Sequence, residues 1–312
     1  MKATIELPAN TYALPIFLAK DKNYFAKAGV DLNIVMAQGS TAALLPVLAR
    51  GDIDMLLATP APPFYNQLTQ GFDIKAFTSV GQEKEGRLAG ASLMVVKKDA
   101  DTIKDFPDLK GKIVDGAAEG GPAALIAVEA IKKAGLTPGK DVTLQYSARS
   151  AADMLALAKT SAADAISMNE PTATQAVAQG LAVRWKTLAQ VAPWYQPSFL
   201  AASNSFLQAK PAALEKFLEV LLVTEREVDA ANGDWTPELI ASDAKWTSTP
   251  PDVIKSQGGV VYYDPNGGIS LDALSQTQDE WAQSNLVKQK IDVSKAVDTT
   301  ALDKALAAVG KV

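Results

Sequence analysis

Apolar and polar positions follow one order between residues 29 and 71, and the same order again between residues 135 and 180. Each stretch opens on a glycine and continues with a short alternating run, a small polar turn, an amphipathic helix, a buried strand and a second helix. Each closes on another glycine, Gly71 or Gly180. In the first copy residues 31–36 alternate as a half-buried strand. Ser40 is placed to cap a helix that buries Leu44, Val47 and Leu48, and residues 53–58 read as a continuous buried strand. Two copies of one α/β unit on a single chain predict two similar lobes with a cleft between them, and such a cleft holds a small molecule.

The remaining chain fits this frame. Residues 3–7 read as a buried strand broken by Pro8 and Asn10, and an apolar helical pattern follows through Phe17 to Ala28. Residues 60–70 are helical and 74–79 a strand. The polar, glycine-containing stretch 81–90 marks a lobe boundary, and a strand at 91–96 carries the chain into the second lobe. There 112–115 is a strand and 121–134 a helix, with Pro122 in the first turn, where its missing N–H costs nothing. Residues 199–202 form the return crossing. A long amphipathic helix follows at 211–231, with Leu214, Phe217, Leu218, Leu221 and Leu222 on its apolar face. Further helices are expected at 237–246, 251–257, 271–285 and 300–309. The expected class is therefore α/β, with mostly parallel sheets covered by helices. Lobe 1 comprises 1–90 and 203–312, with the C-terminal helices packed on it, and lobe 2 comprises 91–202.

Composition narrows the chemistry. Of 312 residues none is cysteine or histidine, which removes disulfides, thiolate nucleophiles, the usual zinc sites and a Ser-His-Asp triad. The formal net charge of −5 and the lack of a basic run argue against a nucleic-acid partner. No apolar stretch approaches the ~20 residues that span a bilayer, and the first residues enter a strand without a signal peptide's apolar core, as expected either of a cytosolic protein or of a mature form with an added start Met. Arg50-Gly51-Asp52 spells an adhesion tripeptide but ends a helix and begins a strand. No metal-loop spacing occurs among the carboxylates.

The succession PANTYALPIFLAKDKNYFAKAG, VDLNIV, GSTAALLPVLARGDIDMLLA, DLKGKIV, AADAISMNEP and, at the C-terminus, KPAALEKFLEVLL and IDVSKAVDTTALDKAL resembles the solute-binding proteins of ABC importers for sulfonates, taurine, nitrate and thiamine-precursor pyrimidines. The resemblance spans essentially the whole chain and implies the type-II periplasmic-binding-protein fold. It also implies a periplasmic monomer whose signal peptide has been removed, with the transporter's membrane subunits as partners and no cofactor or metal. Where that family often has Trp-Glu-Pro, this chain has Asn169-Glu170-Pro171, which exchanges an aromatic platform for an amide.

Ligands of open α/β sheets sit at the carboxyl ends of strands, where helix N-termini offer free N–H groups. In the first lobe those ends carry Asn10, Thr11 and Tyr12, then Gln38, Gly39 and Ser40, then Thr59 and Pro60. In the second they carry Glu119, Gly120 and Gly121, then Arg149, then Asn169 and Glu170, with Trp194 and Tyr195 just before the return crossing. Each has a plainer role: Ser40 as an N-cap, the Glu119–Gly121 stretch as a loop, Arg149 as a solvated charge, Glu170 as a favourable charge at a helix start. The functional role of Arg149 is a bidentate clamp on a carboxylate or sulfonate. Tyr12, Phe64, Tyr65, Trp194 and Tyr195 divide between partial core and pocket.

The expected function is capture of one small anionic or polar organic molecule, such as a sulfonate, carboxylate or aromatic acid, by closure of the lobes upon it. Two other classes fit the fold. An enzyme of the dehydratase kind would use Glu119 and Glu170 as acid and base. Thiamine-pyrimidine synthases also resemble the family, but their chemistry relies on histidine. A ligand-sensing domain is the third.

Overall fold

The computed structural model describes residues 2–37, 41–147 and 150–312. The chain divides into two compact units. The first comprises Met1–Gln82, Gln196–Pro251 and Gly258–Val312, the second Glu83–Tyr195 and Asp252–Gln257.

In chain order the first unit begins with β1 (Lys2–Leu7), α1 (Leu14–Asp21), α2 (Tyr24–Lys27), β2 (Asp31–Met36), α3 (Thr41–Arg50), β3 (Met55–Ala58), α4 (Pro62–Thr69) and β4 (Ile74–Ser79). The second unit carries β5 (Ala91–Val96), β6 (Ile113–Asp115), α5 (Pro122–Lys133), β7 (Thr143–Gln145), α6 (Ala151–Thr160), β8 (Ala165–Asn169), α7 (Thr172–Ala178), β9 (Ala182–Thr187) and α8 (Leu188–Val191). Then follow β10 (Phe199–Ser203), α9 (Asn204–Ala209), α10 (Pro211–Asp229), α11 (Pro237–Thr247), α12 (Pro251–Ser256), α13 (Leu271–Gln283) and α14 (Thr300–Val309).

The first sheet runs β2-β1-β3-β10-β4. β1 pairs parallel with β2 and β3, placing Ile5 beside Ile34 and Met55, while β10 runs antiparallel to both β3 and β4. Ala3, Ile5 and Leu7 alternate onto one face and join the core built by Phe17 of α1 and by Leu214, Phe217, Leu218, Leu221 and Leu222 of α10. Phe25 stacks on Phe217 at 5.1 Å, and Phe17 on Trp246 at 5.3 Å. Each fully buried leucine or phenylalanine contributes roughly 1.5–3 kcal/mol of transfer free energy. That burial, more than propensity, holds a 19-residue helix against the sheet.

The second sheet runs β7-β6-β8-β5-β9, with β6 parallel to β7 and β8, and β5 antiparallel to β8 and β9. Both sheets thus hold their reversed strand in the fourth position. Met94, Val96, Met154, Ile166 and Met168 form the core on one face. The two sequence copies become strand-helix-strand-helix in each unit: β2-α3-β3-α4 and β7-α6-β8-α7.

Several boundaries differ from the sequence pattern for local reasons. The helical pattern expected through Phe17 to Ala28 breaks at Asn23, which takes a left-handed conformation (φ 58°) that asparagine tolerates. α3 buries Leu45 and Leu48, with Leu44 and Val47 only half-buried. β3 begins at Met55, and just before it the Asp54 carboxylate accepts the Thr4 N–H at 2.7 Å. α4 begins at Pro62, since Ala61 is extended (ψ 162°). β10 lies in the first sheet between β3 and β4, whereas a boundary after residue 202 leaves most of it with the second half. No helix among the described residues is long and apolar enough to cross a membrane.

Candidate functional site

In the first unit the loop after β1 turns at once, with Asn10 N donating to Pro8 O at 2.9 Å. Asn10 is extended, and its Oδ1 is buried without a hydrogen-bond partner among the described residues. Thr11 is buried, and its carbonyl accepts the Tyr263 hydroxyl at 2.5 Å. Tyr12 packs over Gly81, where a Cβ would lie 2.3 Å from Tyr12 Cδ1. Gly81 also has φ +73°, so glycine is required there twice over. Thr59 is half-buried after β3. Pro60 is buried, and its carbonyl accepts from Trp281 Nε1 at 3.3 Å. Gln38, Gly39 and Ser40 lie outside the described residues. Phe64 and Tyr65 are core. Both are fully buried, Phe64 packs on Phe199 at 4.9 Å, and the Tyr65 hydroxyl donates to Leu274 O at 2.8 Å.

In the second unit Asp115 ends β6 fully buried. Its Oδ1 accepts from Ala117 N at 2.8 Å, and its Oδ2 accepts from Gln145 Nε2 at 3.2 Å and Ser147 N at 3.1 Å, and from the Ser147 hydroxyl. One carboxylate therefore ties the loop after β6 to the loop after β7. Downstream Glu119 is exposed and Gly120 buried, with φ +82°. Gly121 caps α5 without a side chain, leaving the first N–H groups of that helix for another acceptor. Arg149 lies outside the described residues.

After β8, Asn169 is exposed while Glu170 turns inward. Glu170 Oε1 pairs with Arg184 Nη1 at 2.6 Å, and its Oε2 accepts from Thr174 N at 3.2 Å in the first turn of α7. Arg184 also donates to Ser92 Oγ at 2.9 Å and Thr174 Oγ1 at 3.2 Å. Glu170 is thus fastened inside its own unit, the plainer of its two roles. Trp194 is half-buried and meets the buried Tyr195 edge-on at 6.1 Å. Burial, with Glu83 nearby, pushes the Tyr195 hydroxyl well above its ordinary pKa, so it stays neutral.

The sequence pattern did not single out Asp115, Tyr146 or Arg184. Asp115 was legible as a carboxylate at a strand's carboxyl end. The other two owe their places to contacts across 30 and 14 positions of chain, which local pattern does not encode. No group of three or more carboxylates suited to a metal occurs among the described residues.

The sequence profile described as NMT1/THI5-like matches residues 10–225. No curated protein matches significantly. Among solved structures, the chain is similar to the periplasmic aliphatic sulphonate binding protein SsuA from Escherichia coli, with 20% identity, 95% of this chain and 92% of that one covered, and a TM-score of 0.77. It is similar to the periplasmic nitrate-binding protein NrtA from Synechocystis PCC 6803, with 18% identity, 99% and 89% covered, and a TM-score of 0.77. A ligand binding component of an ABC-type import system from Staphylococcus aureus, solved with zinc bound, gives 15% identity, 98% and 99% covered, and a TM-score of 0.77. At these identities the likeness establishes the fold, the periplasmic-binding-protein fold expected from the sequence.

Proposed function

This chain belongs to the NMT1/THI5-like family, and we propose that it is the solute-binding component of an ABC importer, taking one small anionic or polar organic molecule: a sulfonate, a carboxylate or an aromatic acid. The observation that carries this proposal is the doubled sheet. Each unit repeats one strand order, and each furnishes the carboxyl ends of its strands with hydrogen-bonding groups. Asn10, Thr11, Tyr12 and Thr59 supply them in the first unit, with Gln38, Gly39 and Ser40 assigned from sequence. The open start of α5 at Gly120 and Gly121 supplies them in the second, with Arg149 assigned from sequence. Free helix N–H groups and a planar guanidinium suit an anion's oxygens. Two similar structures are named for small anions, a sulphonate and nitrate.

The partners we assign are the membrane subunits of the transporter, with the periplasm as location and a monomer as the working state. A catalytic use of Glu119 and Glu170 is disfavoured because Glu170 is held by Arg184 and α7. The test is a thermal-shift screen of small sulfonates and carboxylates. A solute at 100 times its Kd stabilises the folded chain by about 2.7 kcal/mol, an upward shift of several degrees. A panel without any shift would remove the proposal. With a solute in hand, Arg149→Ala should weaken binding tenfold or more, as expected for a charge-assisted hydrogen bond worth roughly 1.5–3 kcal/mol. Unchanged affinity would take Arg149 out of the site.

A further inference from the structure

We propose that Tyr146 is a specificity-determining contact and that it selects ring-bearing anions over aliphatic ones; this rests on the solute-binding function proposed above. Tyr146 directly follows β7, at the carboxyl end of the second sheet. Its ring is seated by the lack of a side chain at Gly116. A Cβ there would stand 2.7 Å from Tyr146 Cε1 and 2.9 Å from Cδ1, and 3.4 Å from Ala124 Cα. Contacts so short between carbon atoms are forbidden, so only glycine admits the ring.

The backbone beside this seat is held in an unusual shape. Ala117 sits at φ 58°, in the left-handed region that alanine avoids, and Asp115 Oδ1 receives its N–H at 2.8 Å. The same carboxylate takes the N–H of Ser147, the neighbour of Tyr146, at 3.1 Å. Asp115 therefore fixes both halves of the seat. Strain that is buried and held in this way marks a functional segment.

The seated tyrosine remains half-buried, and its hydroxyl has no hydrogen-bond partner among the described residues. Burial, with the Glu119 charge as a smaller contribution, pushes that hydroxyl up to about 12. It is therefore a neutral donor at physiological pH, suited to an anionic oxygen. A ring fixed before binding offers aromatic surface at low entropic cost. The first unit contains the same device after β1, where Tyr12 rests on Gly81. A ring fixed in this way at a strand's carboxyl end favours a planar solute over a compact inorganic or aliphatic one.

Titration calorimetry on the full chain tests this with two matched pairs, benzenesulfonate against methanesulfonate and benzoate against acetate. The wild type is expected to bind the ring-bearing member of at least one pair tenfold or more tightly, which is 1.4 kcal/mol. Tyr146→Ala should bring that ratio within twofold, and Gly116→Ala should do the same by displacing the ring. Tyr146→Phe, which keeps the packing, should retain the ring preference and weaken both members of the pair threefold or more. A wild-type ratio in Tyr146→Ala, unchanged affinity in Tyr146→Phe, or a wild type that binds both members equally overturns the inference and leaves the solute-binding function standing. A wild type that binds none of the four probes overturns both.

Discussion

Removing the Arg184 guanidinium should strand the Glu170 carboxylate inside the second unit. The pair is close, at 2.6 Å, and the Glu170 side chain is only 3% exposed, against 29% for Arg184. Arg184 stands in β9 opposite Met94, next to a register shift in β5 that carries its side chain toward β8 and α7. Breaking one partner of a buried ion pair typically costs about 3–5 kcal/mol, because the remaining charge is left uncompensated. Two features place this case near the lower end. Thr174 N still donates to Glu170 Oε2 at 3.2 Å, and the partial exposure of Arg184 lets water screen the site. Arg184→Ala is therefore expected to destabilise by about 3 kcal/mol. Glu170→Gln keeps an acceptor for Thr174 N and removes the charge, so the double variant should recover part of the loss. A double-mutant cycle should give a coupling of about 2 kcal/mol, read from urea unfolding by far-ultraviolet circular dichroism. A loss below about 1 kcal/mol for Arg184→Ala, or a coupling below about 0.5 kcal/mol, would refute the argument. It would also return Glu170 to the solute as an available carboxylate.

Two further outcomes follow from buried or crowded positions. Asp243, 1% exposed on α11, has its pKa raised to about 7 by burial. The folded state therefore holds a proton that the unfolded state releases near pH 4. The contribution of Asp243 to stability is greatest at or below that pH and falls as pH rises to about 7, by an order-of-magnitude 4 kcal/mol at most. Asp243→Asn should flatten this slope and be the more stable form at pH 8, and parallel slopes in urea titrations would contradict the assignment. Gly81→Ala combines φ +73° with a Cβ 2.3 Å from Tyr12 Cδ1. It should cost about 2 kcal/mol and lower the melting temperature by several degrees, whereas an unchanged melting temperature would mean that Tyr12 is free to move aside.

Much of the fold was legible because burial imposes periodicity. The 3.6-residue recurrence of Leu214, Phe217, Leu218, Leu221 and Leu222 located α10 and its buried face, the alternation in 31–36 located β2, and the short apolar run after Gly71 located β4. β9 is not marked by the sequence pattern because Arg184, Trp185 and Lys186 are polar or half-buried in succession and carry no clean alternation. The break at Asn23 depends on one backbone torsion, which periodicity does not register. Within the candidate site, glycine and polar residues at strand ends directed attention to Asn10, Gly120 and Gly121. The engagement of Glu170 by Arg184 and the seating of Tyr146 on Gly116 arise from strand pairing, where residues distant in sequence become neighbours. Phe64 and Tyr65, which the sequence leaves between partial core and pocket because they stand near a helix start, turn their rings into the sheet-covering core.

The central claim is capture without conversion. It is tested most directly by titrating the purified chain with the sulfonate or carboxylate that shifts its melting point most, then recovering that compound for mass spectrometry. The account predicts saturable one-to-one binding and a compound recovered unaltered after prolonged incubation. A compound returned chemically changed, or heats showing no saturation, would contradict it.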